Sequence, residues 1–480
     1  MEDNSKHLKR GLFWTMADRF SVVIMQSVAI MVLSRLILPE SFALIGIALF
    51  FINLSQVVVD SGMGGSLLRK TTVDDIDYST LFIYNIVVSI ILYALILLFS
   101  PLVEKFYGIH NVGKILSAIG ISIVISAVGK VQSIILYKEL KFKELSKVSI
   151  LSSLIALSFS IIFAFLGFEI WALVLQNIIY CMLVVIFQFY YNRYIPKLKF
   201  SKISFLEQWE FGGNLLYSKL IYNVYTNVFL LIFPKVSSLR FSGLYTQSNK
   251  IQQIPTNIIN SLMQGVLFPI MTRMDRQREL TIFVRRFSRR LYLIGFSIFF
   301  FISIYSREII RLILGPKWIE GDKVLSILCI GGGALLVSSF VKNIVKSVGK
   351  TKQIFIFESY NALIGIIFLL ITLKFGDYMI LYGTVIALYF STAIFLNQQS
   401  KILNVSIILI IKDIIKPLVP VTLTFLCIFF IKMYTFSLPY ILNLVLGVVL
   451  YFIFIIIFGH VLRNREVKFF KKYVFNLIKP

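Results

Sequence analysis

Cysteine and histidine are scarce, with three of each in 480 residues. Three scattered thiols exclude a disulfide framework. Cys181, Cys329 and Cys427 all fall within apolar runs, where a thiol acts as a small hydrophobe. His7, His110 and His460 are too far apart in the sequence for metal-ligand spacing, so no metal is expected. Acidic residues are also few, 23 against 48 Lys and Arg, and charged residues of both signs make up only 15% of the chain. No stretch between apolar runs is long enough to fold as a soluble domain. Enzyme signatures are missing too: there is no Walker A loop to hold a nucleotide, and no HExxH or GxSxG to place a metal or a nucleophile. The chain is expected to be neither an enzyme nor a cofactor binder. The triple glycine at 331–333 lies in an apolar run and reads as close helix packing, not as a phosphate loop.

What is abundant is apolar surface: 58% of residues are hydrophobic and 45 are Phe. Runs of about 20 apolar residues, the length of helix that crosses roughly 30 Å of hydrocarbon, recur from end to end. The sequence predicts fourteen spans, at 11–34, 41–66, 78–102, 112–136, 148–166, 169–191, 209–233, 243–270, 290–306, 321–345, 354–373, 377–397, 410–431 and 438–462. The fold class is therefore all-α integral membrane. The first run is too long for a signal-peptide core and lacks a small-residue cleavage site, so it is expected to remain as a span. Lys and Arg concentrate in the segments that face inside if the amino terminus is inside, which predicts cytoplasmic termini. The net charge of +25 is thereby explained by membrane-flanking loops, and no nucleic-acid partner is expected.

A weak internal repeat accompanies the spans. "RGLFW" at 10–14 has a counterpart in "EFGGN" at 210–214, and "ESFALIGIA" at 40–48 in "LRFSGLYTQ" at 239–247. Six spans per repeat give an N-lobe over 1–200 and a C-lobe over 201–400, with two further helices and a basic tail over 401–480. Transporters are often built from such halves.

The eighth span is unusual for its polarity. Asn249, Gln253, Asn257, Asn260 and Gln264 are spaced 4, 4, 3 and 4 and form one stripe on a helix, with Lys250 at its edge and Pro255 within it. Polar groups facing lipid without partners cost on the order of kcal/mol each, so the stripe must face other helices or water. Interhelical hydrogen bonding would account for one or two amides, whereas five beside a lysine suit a water-filled cavity better. Other spans carry matching groups: Arg19 and Gln26 in the first; Asn53, Gln56 and Asp60 in the second; Lys219, Tyr222 and Asn223 in the seventh; Lys130 and Lys342 in the fourth and tenth. The cations Arg19, Lys219, Lys250, Lys130 and Lys342 are candidate phosphate ligands, since an ammonium or guanidinium attracts an anion far more strongly at low dielectric than in water. The polar groups Gln26, Asn53, Gln56, Tyr222, Asn223, Asn249, Gln253, Asn257 and Asn260 are candidate sugar ligands. Asp60, Glu210 and Glu358 are candidate ion-coupling carboxylates, or else partners that neutralise the lysines.

Several segments resemble the polysaccharide transporter family, the Wzx-type lipid-linked oligosaccharide flippases of the multidrug/oligosaccharidyl-lipid/polysaccharide exporter superfamily: "SRLILPESFALIGIA" (34–48), "DSGMGGSLLRK" (60–70), "FKELSKVSILSS" (142–153), "GFEIWALVLQ" (167–176), "FSGLYTQSNKIQQIP" (241–255), "VLFPIMTRM" (266–274) and "LGPKWIEGDKVLSILCIGG" (314–332). The sequence departs from that family at Ile37-Leu38-Pro39, where Leu-Gly-Pro is common. The resemblance implies two pseudo-symmetric six-helix lobes around a central cavity, with two C-terminal helices. It also implies movement of a polyprenyl-pyrophosphate-linked oligosaccharide across the cytoplasmic (inner) membrane of a bacterium, for O-antigen, capsule or exopolysaccharide, by ion-coupled alternating access. Its implied partners are membrane lipids and the polymerase and glycosyltransferases of the same pathway. Alternatives within the superfamily are a lipid II flippase or a cation-drug exporter; from another class, an integral-membrane glycan polymerase or ligase.

Overall fold

The computed structural model describes residues 21, 24–25, 27–272, 274, 277–435, 439–462, 464 and 466–467, and every regular element among them is helical. In chain order these are α1 (Ser27–Leu36), α2 (Pro39–Asp60), α3 (Met63–Arg69), α4 (Asp75–Tyr107), α5 (Val112–Lys138), α6 (Phe142–Phe165), α7 (Ile170–Tyr191), α8 (Lys202–Val236), α9 (Leu239–Leu262), α10 (Phe268–Thr272), α11 (Gln277–Ile304), α12 (Ser306–Ile313), α13 (Asp322–Ser347), α14 (Thr351–Thr372), α15 (Asp377–Leu403), α16 (Ile407–Thr435) and α17 (Tyr440–Val461).

Eleven helices among the described residues are long and apolar enough to cross a bilayer. They match eleven of the expected spans. The remaining three are the first, which lies largely outside the described residues, and the seventh and eighth, which form α8 and α9. The amides and lysines of α8 and α9 dilute their apolar character, so the count of fourteen rests on these more polar segments. The ninth span ends at Ile304, and the apolar residues after it form the separate short helix α12.

By compactness the chain divides into two units, Met1–Thr246 and Gln247–Pro480, with the division inside α9. The lobes expected at 1–200 and 201–400 were drawn from repeat symmetry, whereas compactness follows contact. In the first unit α8 packs on α2, α3 and α4, and in the second α16 packs on α11 and α17 on α16 and α12. One packing scheme recurs within each unit: α4 on α5, α5 on α7 and α6 on α7 in the first; α11 on α13, α13 on α15 and α14 on α15 in the second.

Small residues set the closest approaches. In α13, a Cβ on Gly332 would lie 2.5 Å from the ring of Phe299, and one on Gly331 3.0 Å from Val385, so the triple glycine lets α11 and α15 flank α13 closely. In the first unit, a Cβ on Gly243 would fall 1.9 Å from the carbonyl oxygen of Pro39. The first turn of α9 is thus pressed against the start of α2, joining two of the segments that carry the family likeness. Gly243→Ala is expected to destabilise the fold by about 1–3 kcal/mol, the usual cost of overpacking; a thermal melt of the detergent-solubilised chain unchanged from the parent would refute this contact.

Candidate functional site: polar faces and ion pairs of the spans

In the first unit the polar face of α2 carries Asn53, exposed, and Gln56 and Asp60, both half-buried. The helix stops at Asp60 because Ser61 (φ 38°) and Gly62 (φ 74°) both take left-handed conformations, after which α3 resumes. Only a residue without a side chain fits beside this break: a Cβ on Gly212 of α8 would sit 2.7 Å from the Ser61 carbonyl oxygen. The break leaves the Asp60 carboxylate at a helix end, where its Oδ1 lies 2.6 Å from Lys130 Nζ of α5.

The turn after α3 holds a second charged cluster. Lys70 Nζ lies 2.9 Å from Asp77 Oδ2 and 3.3 Å from Glu207 Oε2, while Ser204 Oγ donates to Asp77 Oδ1 at 2.6 Å. The hydrogen bond to Asp77 holds the Lys70 ammonium above the ordinary lysine range. Lys138 Nζ donates to the carbonyl oxygens of Leu67 (3.1 Å) and Lys70 (2.7 Å), capping the end of α3 where the helix dipole is negative.

On α8, Lys219 and Glu210 are exposed, and Asn223 is half-buried and accepts at Oδ1 from Asn227 Nδ2 at 3.1 Å. The side chain of Tyr222 lies outside the described residues, as do Arg19 and Gln26.

In the second unit α9 supplies the long polar stripe. Gln253, Asn257 and Gln264 are exposed, Asn249, Lys250 and Asn260 half-buried. Asn260 Oδ1 accepts a hydrogen bond from Ser339 Oγ of α13, so one amide serves as interhelical glue. The other face of the same helix is buried at Gln247, Ser248 and Gln252. Ser248 Oγ reaches the Gly321 carbonyl oxygen at 3.5 Å, bringing a third family-like segment, "LGPKWIEGD", against "FSGLYTQSNK". Beyond Leu262 the backbone widens into a π-turn over Met263–Leu267. Pro269 lies just past it; proline has no N–H to continue an α-helical ladder, and such single-turn widenings recur at functional positions.

Lys342 Nζ on α13 lies 2.6 Å from Glu358 Oε1 on α14. The sequence left the carboxylates open as partners for Lys219 or Lys250; the structure pairs Asp60 with Lys130 and Glu358 with Lys342.

Besides Asp77, three acidic groups that sequence reasoning passed over are buried. Glu308 of α12 lies 2.7 Å from Lys432 Nζ and accepts at Oε1 from Asn443 Nδ2 at 3.2 Å. Asp413 of α16 accepts from Arg285 Nε (2.6 Å) and Nη2 (3.3 Å) of α11, a two-pronged pair. Glu466 lies 3.2 Å from Arg290 Nε. Arg285, Arg289 and Arg290, part of the Lys and Arg excess read as a sign of membrane orientation, also clamp α16 and the segment after α17. Arg273 and Arg276 lie outside the described residues. The only hint in the sequence was an acid alone among lysines, as in "IIKDIIKP" at 410–417. Among the described residues no three His, Cys, Asp or Glu side chains converge as a metal site requires.

These placements can be set beside proteins of known kind. A family model described as "Polysaccharide biosynthesis protein" matches residues 32–321, more than half of the chain. The chain is 23% identical over 337 residues to the teichuronic acid biosynthesis protein TuaB of Bacillus subtilis (strain 168), covering 69% of each. It is 20% identical over 353 residues to the succinoglycan biosynthesis transport protein ExoT of Rhizobium meliloti (strain 1021), covering 73% of this chain and 72% of that one. Among solved structures, the inward closed conformation of the lipid II flippase MurJ superposes with a TM-score of 0.75 at 17% identity, over 94% of this chain and 100% of that one. At that identity the likeness shows a shared fold and no more. With eleven helices of spanning length, the chain is a multi-pass membrane protein.

Proposed function

Because the chain belongs to the polysaccharide biosynthesis protein family, we propose that it moves polyprenyl-pyrophosphate-linked oligosaccharide units across the cytoplasmic membrane of a bacterium for surface polysaccharide assembly. The single observation that carries this reading is the family match across 32–321, supported by relatives named for teichuronic acid and succinoglycan biosynthesis. That one of these relatives, ExoT, is named a transport protein supports translocation rather than synthesis. In this reading both termini lie in the cytoplasm, and the polymerase and glycosyltransferases of the pathway are the partners.

The chemistry of the polar helices suits such a cargo. Exposed amides midway along helices of membrane length are tolerable only where water or a polar ligand meets them. Asn53 and Gln56 of α2, and Gln253 and Asn257 of α9, can donate to and accept from sugar hydroxyls. Lys219 of α8 and Lys250 of α9 supply positive charge for the pyrophosphate. The energy would come from an ion gradient. A proton or sodium ion reaching Asp60 or Glu358 competes with Lys130 or Lys342 for the carboxylate, so its arrival would loosen one state of the transporter.

The test is translocation by the purified full chain in vesicles, with a fluorescent polyprenyl-pyrophosphate oligosaccharide whose glycan becomes accessible to an added glycosidase on the far side. Translocation above that of protein-free vesicles is expected, and none at any imposed ion gradient would defeat the proposal. Asp60→Asn is expected to leave binding intact while abolishing the response to a proton or sodium gradient. A normal response in both Asp60→Asn and Glu358→Gln would remove these carboxylates from the coupling mechanism.

A further inference from the structure

The face of the first unit where α4 ends and α5 begins holds a cleft that the transport reading does not use. It has a volume of about 900 Å³ and is lined by residues of α4, of the turn at 108–111 and of α5. Its cations are Lys105 and Lys114, both exposed, and neither has a carboxylate within ion-pair distance among the described residues. The one carboxylate of the lining, Glu104, is already engaged: its Oε2 accepts from the Gly113 N–H at 3.0 Å and its Oε1 lies 3.5 Å from His110 Nδ1. Two ammonium groups therefore face one occupied carboxylate, and the cleft favours an anion.

Pro101, inside α4, is one of the residues that line the cleft. A proline within a helix has no N–H to offer the carbonyl four residues earlier. Here that carbonyl belongs to Leu97, and Ser100 Oγ satisfies it at 3.1 Å, while Ser117 Oγ donates to Ser100 Oγ at 3.0 Å. A pair of hydroxyls thus bridges the two helices just inside the cations. Next to the lining residues Tyr93 and Ala118, and one turn from Pro101 and Ser117, each helix presents exposed hydrocarbon: Leu97 is 45% exposed and Ile121 40%. The ring of Tyr93 lies over Gly120, where a Cβ would be 3.1 Å from the ring. Charge at the mouth, hydroxyls below it and exposed hydrocarbon beyond follow the order of groups along a phospholipid, from phosphate through glycerol to acyl chain.

We propose that this α4–α5 cleft is a binding site for the phosphate headgroup of an anionic glycerophospholipid, with its chains along Leu97 and Ile121. The lining includes no residue of the polar faces of α2 and α9, and the site does not depend on what the protein transports. A bound lipid there would tie together the ends of two helices that carry the unit's α4–α5 packing.

The experiment is native mass spectrometry of the full chain released from detergent, titrated with phosphatidylglycerol, with diacylglycerol of the same chains, and with inorganic phosphate. Phosphatidylglycerol is expected to bind and diacylglycerol not to. Lys105→Gln/Lys114→Gln should weaken phosphatidylglycerol about tenfold or more, since each basic residue near a lipid surface is worth about 1 kcal/mol. Lys401→Gln, elsewhere on the surface, should change nothing. Ala118→Trp, which fills the cleft and keeps both lysines, should also abolish binding. Equal affinity of the double variant and the parent, or equal binding of diacylglycerol, would overturn the proposal. Full displacement by millimolar inorganic phosphate would assign the cleft to a free anion and overturn the lipid reading.

Discussion

Replacing Lys250 with glutamine is expected to slow translocation of a pyrophosphate-linked oligosaccharide about tenfold to a hundredfold. Hydrogen bonds to a charged group are worth about 1.5–3 kcal/mol each, which converts to that range of rate if the contact is made during passage. Lys250 stands half-buried on α9, beside Asn249 and one turn from Gln253. Glutamine keeps the length and a donor and removes only the charge. The readout is the initial rate in vesicles alongside the melting temperature, and the two should separate: rate falls, melting holds. Lys250→Arg should recover most of the rate, because a guanidinium engages phosphate through two parallel bonds. A rate within twofold of the parent in Lys250→Gln would place the pyrophosphate on other residues, with Lys219 the next to substitute. Among the described helices α9 carries the long polar stripe of Asn249, Gln253, Asn257 and Asn260, which needs water or a ligand beside it.

Removing Lys432 should cost more stability than any other single change considered for this chain, about 3–5 kcal/mol. Its ammonium lies 2.7 Å from Glu308 Oε2, with side chains only 16% and 6% exposed. It also donates to the Ile304 carbonyl oxygen and sits 4.9 Å from the centre of the Tyr305 ring. Lys432→Met leaves the Glu308 carboxylate buried with Asn443 as its remaining partner, and an uncompensated buried charge carries that order of penalty. The double variant Glu308→Gln/Lys432→Met should recover most of the loss, because a neutral amide still bonds Asn443 and no charge is stranded. A double variant as unstable as Lys432→Met alone would show that the ion pair itself, rather than the stranded charge, holds α16 and α17 against α12. Around the pair, Ile304, Tyr305, Ile428 and Tyr451 form a buried cluster, and a Cβ on Gly447 would lie 2.2 Å from the Tyr305 ring, so α17 depends on this contact to seat.

How much of this was legible in the sequence varies from residue to residue. The polar stripe of α9 was visible because its 4, 4, 3, 4 spacing is a property of one helix. Its second buried face, Gln247, Ser248 and Gln252, was not, because whether an amide is covered depends on what packs there. The break between α2 and α3 falls inside the single span expected at 41–66, because the left-handed turn at Ser61 and Gly62 leaves the apolar run uninterrupted, and the π-turn at Met263–Leu267 has no periodic signal at all. Asp413 and Glu308 were overlooked since a single acid in an apolar run looks the same whether its partner lies beside it or 124 residues away in Lys432.

The class of this molecule, a many-spanning helical membrane protein with polar helices in both halves, follows from the chain alone. Transfer of apolar groups out of water adds up over local windows of about 20 residues, and helical periodicity is local as well. Which lysine neutralises which carboxylate, where two helices pause, and how the last pair of helices is fastened were decided only in three dimensions. An ion pair forms where folding brings distant helices within a few ångströms, and no window of sequence contains that distance.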